Sequence, residues 1–220
     1  MLAADWPPIL HAPTGKQPRM PADIDEQARH KAKMANRKAV QDAEVADKTV
    51  EKGLLIVHTG KGKSTAAWGL LLRAIGRGFR CGVVQFGKGA WQTGERAAIE
   101  RLGDQVEWHT LGEGFTWETQ DRNRDVEAAR RAWAKARELM ANPAIRLIVL
   151  DELNIALRYD HLDIKDVVAA LKARRPDQHI VVTGRNAKPE LIEAADLVTE
   201  MTLVKHHFAA GVKAQEGIEF

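Results

Sequence analysis

From residue 53 onward, short apolar runs alternate with longer stretches that are apolar along one face only. Leu54-Leu55-Ile56-Val57, Cys81-Gly82-Val83-Val84, Ile145-Arg146-Leu147-Ile148-Val149-Leu150 and Ile180-Val181-Val182 are too short for helices and apolar on both faces. That is the pattern of strands buried on both sides of a parallel sheet. They predict strands over about 54–58, 80–86, 145–150 and 180–183, with alternation at 106–110 and a last strand at 197–201. Between them the spacing predicts a helix over about 63–76, with Gly76 and Gly78 as C-cap residues, and a short helix ending near Leu102. A long helix over about 121–141 places Val126, Ala129, Trp133, Ala136, Leu139 and Met140 near one face and stops at Asn142-Pro143. Asp163 caps a helix over about 164–174 with Val167, Val168 and Leu171 inward, and Pro189 starts a short one. Strands alternating with helices imply an α/β fold with a mainly parallel sheet and helices on both faces. Its ligand is expected beyond the carboxyl ends of the strands. The loops 58–64, 86–94, 151–154 and 183–188 all follow strands and so share that edge.

The first fifty residues differ. Pro7, Pro8, Pro13, Pro18 and Pro21 exclude regular structure up to about residue 22. Residues 24–51 are rich in Ala, Lys, Arg, Glu, Asp and Gln, helix-prone but poorly amphipathic. Residues 1–50 are therefore expected to be a leader and helical arm, and 51–220 the folded domain. Lys31, Lys33, Arg37 and Lys38 are most simply a solvated helix face. Thirty-three basic against thirty acidic residues leave a net charge of +3, which suits a small anion as well as nucleic acid and selects neither. The single cysteine, Cys81, excludes an internal disulfide and reads as a core thiol. No apolar run reaches the length of a membrane span and no export signal opens the chain, so a cytoplasmic protein is expected.

The first strand runs into Thr59-Gly60-Lys61-Gly62-Lys63-Ser64-Thr65 and then directly into a good helix former. A strand, a glycine-rich turn ending in Gly-Lys-Ser, and then a helix form the context of a phosphate loop. Backbone N–H groups at a helix N-terminus converge on one point and carry the positive end of the dipole. Lys63 can reach phosphates and the Ser64 hydroxyl can hold Mg²⁺. The full pattern G-x-x-x-x-G-K-[ST] would need glycine at Val57, so a surface turn rich in Gly and Lys is the competing reading. Asp151-Glu152, after Leu147–Leu150, is similar to a Walker B motif. One carboxylate there suits a cation opposite Ser64, and Asp151 also suits a helix N-cap. Phe115 and Trp117 lie in a glycine-framed loop and either plug the core or wall a large flat ligand, a role Trp91 also fits. Arg185 either contacts ligand at the strand edge or closes a turn. His206 and His207 suit a surface role or a triphosphate contact better than a metal site.

Several separated strings together resemble one family. They are Gly114-Phe115-Thr116-Trp117-Glu118-Thr119-Gln120, Gln85-Phe86 with Lys88-Gly89-Ala90-Trp91 and Gly94-Glu95-Arg96, Leu150-Asp151-Glu152, Thr183-Gly184-Arg185, and Val204-Lys205-His206 with Gly211–Gln215. They are similar to the P-loop type of ATP:corrinoid adenosyltransferase, from about Glu51 to Phe220, and the arm is similar to that family's N-terminal helix. The resemblance implies a P-loop NTPase-like fold. It also implies transfer of the 5′-deoxyadenosyl group of ATP to the cobalt of a reduced corrinoid, with release of triphosphate, in cobalamin biosynthesis or salvage. By the same resemblance Thr59, Gly60, Lys61, Gly62, Lys63, Ser64, Thr65, Trp91 and Arg185 bind the nucleotide or corrinoid, and Ser64 and Glu152 hold Mg²⁺. Lys63 would stabilise the leaving triphosphate. Phe115 and Trp117 would shield the lower corrin face and displace its axial ligand. A reductase, a second copy of the chain and the corrinoid are the implied partners, with neither nucleic acid nor a membrane among them.

One departure changes the picture. The family usually carries T-G-x-G-K-G-K-[ST]-[ST], and the run here is two residues shorter. It also has Gly87 where a bulky apolar residue is usual. A corrinoid-binding protein with impaired ATP binding is therefore the alternative. An ordinary kinase or ATPase would explain the loop and Asp151-Glu152 but not the aromatic string.

Overall fold

A computed structural model describes residues 26–46, 51–87, 93–112 and 121–218, which fall into two units divided after Val50. The first unit contributes a single helix, α1 (Glu26–Ala46). Its residues 26–44 are all exposed, as its even spread of charge predicts.

The second unit is a six-stranded sheet in the order β3-β2-β4-β5-β1-β6. Every pairing is parallel. The strands are β1 (Leu55–Gly60), β2 (Arg80–Gln85), β3 (Val106–Thr110), β4 (Ile145–Asp151), β5 (His179–Thr183) and β6 (Leu197–Met201). The helices are α2 (Lys63–Gly76), α3 (Gly94–Glu100), α4 (Arg122–Ala141), α5 (Leu153–Arg158), α6 (Ile164–Lys172) and α7 (Pro189–Ala194). A 3₁₀ turn, His207–Ala210, follows β6.

Side chains alternate across each strand, so two cores form. Ile56, Val83, Val149 and Val181 face Trp68, Leu71 and Ile75 of α2 and Ile99 of α3. Leu55, Val57, Ile148, Leu150 and Val182 face Ala129, Ala132 and Leu139 of α4, Leu153 and Leu157 of α5, Val167 and Leu171 of α6 and Leu191 of α7. Gly82 of β2 lets α4 lie close: a Cβ added there would come within 2.8 Å of Leu139 Cδ1. Cys81 is in the first core at 1% exposure, and burial pushes its thiol up to about 12, which removes it from nucleophilic chemistry.

Several boundaries shift. β1 extends to Gly60, two residues past the expected end, because β6 continues the ladder to Gly60↔Met201. β2 ends at Gln85, α3 at Glu100 and α6 at Lys172, each short of the expected limit. Arg77 is the C-cap of α2; Gly76 is its last helical residue, and Gly78 takes the left-handed turn at φ 76°. Asp121 and Asp163 cap α4 and α6, accepting from Asn123 and Arg124 N–H and from Lys165 N–H respectively. α5 was not expected at all.

Gly60 has the tightest requirement near the site. Its φ is 94°, and an added Cβ would lie 2.0 Å from the Met201 carbonyl oxygen. Gly62 has φ 92° but only Met201 Sδ nearby, at 3.6 Å. Gly60→Ala is expected to cost roughly 3 kcal/mol or more, from strain plus displacement of β6, and Gly62→Ala only about 1–2 kcal/mol from strain. Urea unfolding midpoints of the two variants measure the difference; equal losses would contradict the geometry.

Candidate active site

The sheet order places the ends of β1, β5, β4 and β2 side by side. Only Lys61 and Gly62 separate β1 from α2, and Lys61 N–H donates to the Met201 carbonyl at 3.2 Å, pinning the turn to β6. Gly62 is the N-cap of α2 and supplies no side-chain acceptor. The first-turn N–H groups of a helix have no partner within it, so those of α2 offer an anion a dipole end without a competing cap.

Two bonds join this turn to the end of β4. Lys63 Nζ lies 2.7 Å from Glu152 Oε1, with the two side chains only 13% and 9% exposed. Ser64 Oγ donates to Asp151 Oδ1 at 2.9 Å. Asp151 is fully buried. Thr183 Oγ1, at the end of β5, also donates to its Oδ1, at 2.8 Å, and Gln85 Nε2, at the end of β2, donates to its Oδ2 at 3.1 Å. Thr183 Oγ1 in turn accepts from Glu152 N–H at 3.0 Å.

The two carboxylates therefore have separate tasks. Asp151 is held by donors from α2, β5 and β2 and does not cap a helix. Glu152 is the N-cap of α5, in the left-handed conformation at φ 64°, with no side-chain cap bond. A non-glycine residue held there carries roughly 1–3 kcal/mol of strain and marks a position the surroundings dictate. Its side chain is thereby turned to Lys63. Gly184, at φ 135°, lets β5's exit pass Asn154, whose Nδ2 donates to its carbonyl at 3.2 Å.

Of the expected binding residues, Thr59 is buried, Gly60, Lys63 and Ser64 are half-buried, and Lys61, Gly62 and Thr65 are exposed. Arg185 is exposed beyond β5 and makes no bond to the Asp151 cluster among the described residues. His206 acts locally: its Nδ1 accepts from Phe208 N–H at 3.1 Å. Trp91, Phe115 and Trp117 lie outside the described residues. Gln85 and Thr183 were quoted only as parts of motifs, with no role expected of them at the carboxylates. No local pattern could have assigned one, because each reaches Asp151 from a distant strand.

An Mg²⁺ fits the donor set. Ser64 Oγ and the Glu152 carboxylate are hard oxygen donors beside the phosphate turn. Among the described residues no three His, Cys, Asp or Glu cluster to form a metal cage.

His58, one residue before this turn region, is 7% exposed, and neither ring nitrogen has a hydrogen-bond partner among the described residues. Burial lowers its pKa, as it does for His161 and His179. Each is harder to protonate in the folded chain than in the unfolded one, so the stability they contribute is complete above about pH 6.5 and is lost as pH falls below it. The unfolding free energy is expected to drop between pH 7 and 5, by at most about 1.4 kcal/mol per pH unit for each histidine, and thermal midpoints to fall with it. His58→Phe is expected to flatten that slope; an unchanged slope would contradict the assignment.

A family model described as ATP:corrinoid adenosyltransferase BtuR/CobO/CobP matches residues 51–220. A second, described as Cob(I)alamin adenosyltransferase N terminal, matches residues 20–45. A corrinoid adenosyltransferase from Sinorhizobium sp is 57% identical over 204 residues, covering 91% of this chain and 95% of that protein. One from Pseudomonas aeruginosa is 53% identical over 198 residues, covering 89% and 98%. Corrinoid adenosyltransferase CobA of Salmonella typhimurium is 45% identical over 181 residues, covering 81% and 91%.

Proposed function

The chain belongs to the ATP:corrinoid adenosyltransferase family BtuR/CobO/CobP, and from that membership we propose how its own residues carry out the transfer. The reaction is adenosyl transfer from ATP to a corrinoid in cobalamin metabolism; the reading as a corrinoid-binding protein with impaired ATP binding is not favoured.

The observation that carries the assignment of roles is the pairing of Lys63 and Ser64, at the start of α2, with Glu152 and Asp151 at 2.7 and 2.9 Å. The triphosphate of ATP docks on the first turn of α2, with Thr59 to Thr65 around it. Lys63 exchanges Glu152 for phosphate oxygens. Ser64 and Glu152 would hold Mg²⁺, which would neutralise part of the triphosphate charge. The nucleophile is the substrate's own cobalt in the +1 state: its electron pair forms the bond to C5′ as the C5′–O bond breaks, and the bonding electrons leave on triphosphate. No proton leaves the nucleophile, so no general base is required. The protein contributes alignment and charge stabilisation of the leaving group.

Phe115, Trp117 and Trp91 are assigned to the corrin wall, and Arg185 to the ligand edge, on the family resemblance alone. Removing an axial ligand from cobalt makes the +1 state easier to reach, since axial ligation sets a macrocycle's potential. A reductase supplies the electron. Residues 1–50 are a leader and helical arm, 51–220 the catalytic domain, and two chains pair as a homodimer in the cytoplasm. No helix among the described residues is long and apolar enough to cross a membrane.

The test is anaerobic incubation of the full chain with ATP, Mg²⁺ and chemically reduced corrinoid, followed by absorbance. A light-labile alkyl-cobalt spectrum that requires both ATP and the protein is expected. Folded protein that binds corrinoid yet forms no such product would overturn the proposal.

A further inference from the structure

Gln85 is 3% exposed, and both polar atoms of its amide are hydrogen-bonded. Its Oε1 accepts from Trp108 Nε1 at 3.0 Å and from Thr110 Oγ1 at 2.9 Å, and its Nε2 donates to Asp151 Oδ2 at 3.1 Å. The amide has only this orientation. An indole N–H is a donor alone, so the oxygen must face Trp108, and the NH₂ is left for the carboxylate.

Beyond Gln85 the contacts close on themselves. The Trp108 ring lies against Trp68, with centroids 4.9 Å apart. Trp68 is four residues after Ser64, one turn further along α2. Ser64 donates its only hydroxyl proton to the other oxygen of Asp151. A ring therefore runs from Ser64 through Asp151, Gln85, Trp108 and Trp68 back to Ser64. It holds the start of α2 to β4, β2 and β3 at two points one turn apart.

We infer that Gln85 is a positioning residue for adenosyl transfer. By orienting Asp151 it directs the Ser64 proton inward and the Ser64 lone pairs outward, toward a cation on the triphosphate. Through Trp108, whose ring lies against Trp68, it is also tied to α2 one turn beyond Ser64. The inference rests on the phosphate-site reading above and adds to it a residue that touches neither nucleotide nor corrinoid.

Three variants of the full chain separate this role from simple core packing. Gln85→Leu removes every bond. Gln85→Glu keeps the acceptor for Trp108 and Thr110 but turns an oxygen on Asp151. Trp108→Phe keeps the ring stack and removes one donor. The readouts are ATP affinity with Mg²⁺, ATP affinity with a chelator instead, corrinoid affinity and thermal midpoint. Gln85→Leu and Gln85→Glu are expected to weaken ATP binding about 30-fold in Mg²⁺ but less than about threefold in chelator, with corrinoid affinity unchanged. Trp108→Phe, the variant least able to disturb folding, is expected to lose about three- to tenfold in Mg²⁺ only. Wild-type Mg²⁺ dependence in Trp108→Phe and in whichever Gln85 variants fold would overturn the inference. So would equal losses of ATP and corrinoid affinity that track a fall in the thermal midpoint. If the wild-type chain itself binds no ATP in Mg²⁺, the phosphate-site reading fails first, and that result is read before any variant.

Discussion

Lys63→Ala is expected to lower kcat/KM for adenosyl transfer about a thousandfold or more, because it removes a preorganised cation from the leaving triphosphate. The same change has a second consequence that the ion pair makes specific. Glu152 is 9% exposed and its Oε1 lies 2.7 Å from Lys63 Nζ. Truncating Lys63 leaves a buried carboxylate without its cation, a situation that costs about 3–5 kcal/mol in other proteins. Lys63→Ala is therefore expected to be both inactive and less stable. The double variant Lys63→Ala/Glu152→Gln is expected to recover most of the stability and none of the activity. Chemical unfolding and the alkyl-cobalt assay together decide it. Activity that returned with stability would make Lys63 a structural residue and would contradict its assigned role.

The second large effect concerns the length of the turn. Lys61 and Gly62 alone connect β1 to α2, and Lys61 N–H is committed to the Met201 carbonyl. The turn is two residues shorter than the run usual in the family, so fewer amides can face the phosphates. Inserting Gly-Lys between Lys61 and Gly62, which restores the longer run, is expected to tighten ATP binding about 10- to 100-fold. Each added N–H to an ionised oxygen contributes about 1.5–3 kcal/mol before the ordering of a longer loop is subtracted. Calorimetry with ATP and Mg²⁺ measures it. Unchanged or weaker binding by a folded insertion variant would show that the short turn already supplies every contact the nucleotide uses.

The sheet and most helices were legible because their signals are local. Apolar runs such as Ile145–Leu150 are long enough for a strand and too short for a helix, and Asp163 and Pro189 mark starts by chemistry confined to one turn. α5 was not legible: Leu153-Asn154-Ile155-Ala156-Leu157-Arg158 is six residues, apolar nearly all round, and shows no period. The phosphate turn and the acidic pair were legible as motifs, and so was their position at one edge of the sheet. The division of labour between the carboxylates was not. It depends on Gln85 and Thr183, which lie 66 and 32 residues from Asp151 and meet it only through the strand order. It depends equally on Glu152 adopting φ 64°, which no preference of glutamate foretells. Trp91, Phe115 and Trp117 lie outside the described residues, so their assignment rests on the resemblance throughout.

The central claim is that the first turn of α2 holds a triphosphate that departs whole when cobalt takes the C5′ carbon. Phosphorus NMR of a completed reaction, with the alkyl-cobalt product quantified in the same sample, tests it most directly. One intact triphosphate for each cobalt–carbon bond is the predicted result. Orthophosphate or pyrophosphate appearing in step with product, or triphosphate without alkyl-cobalt, would contradict it.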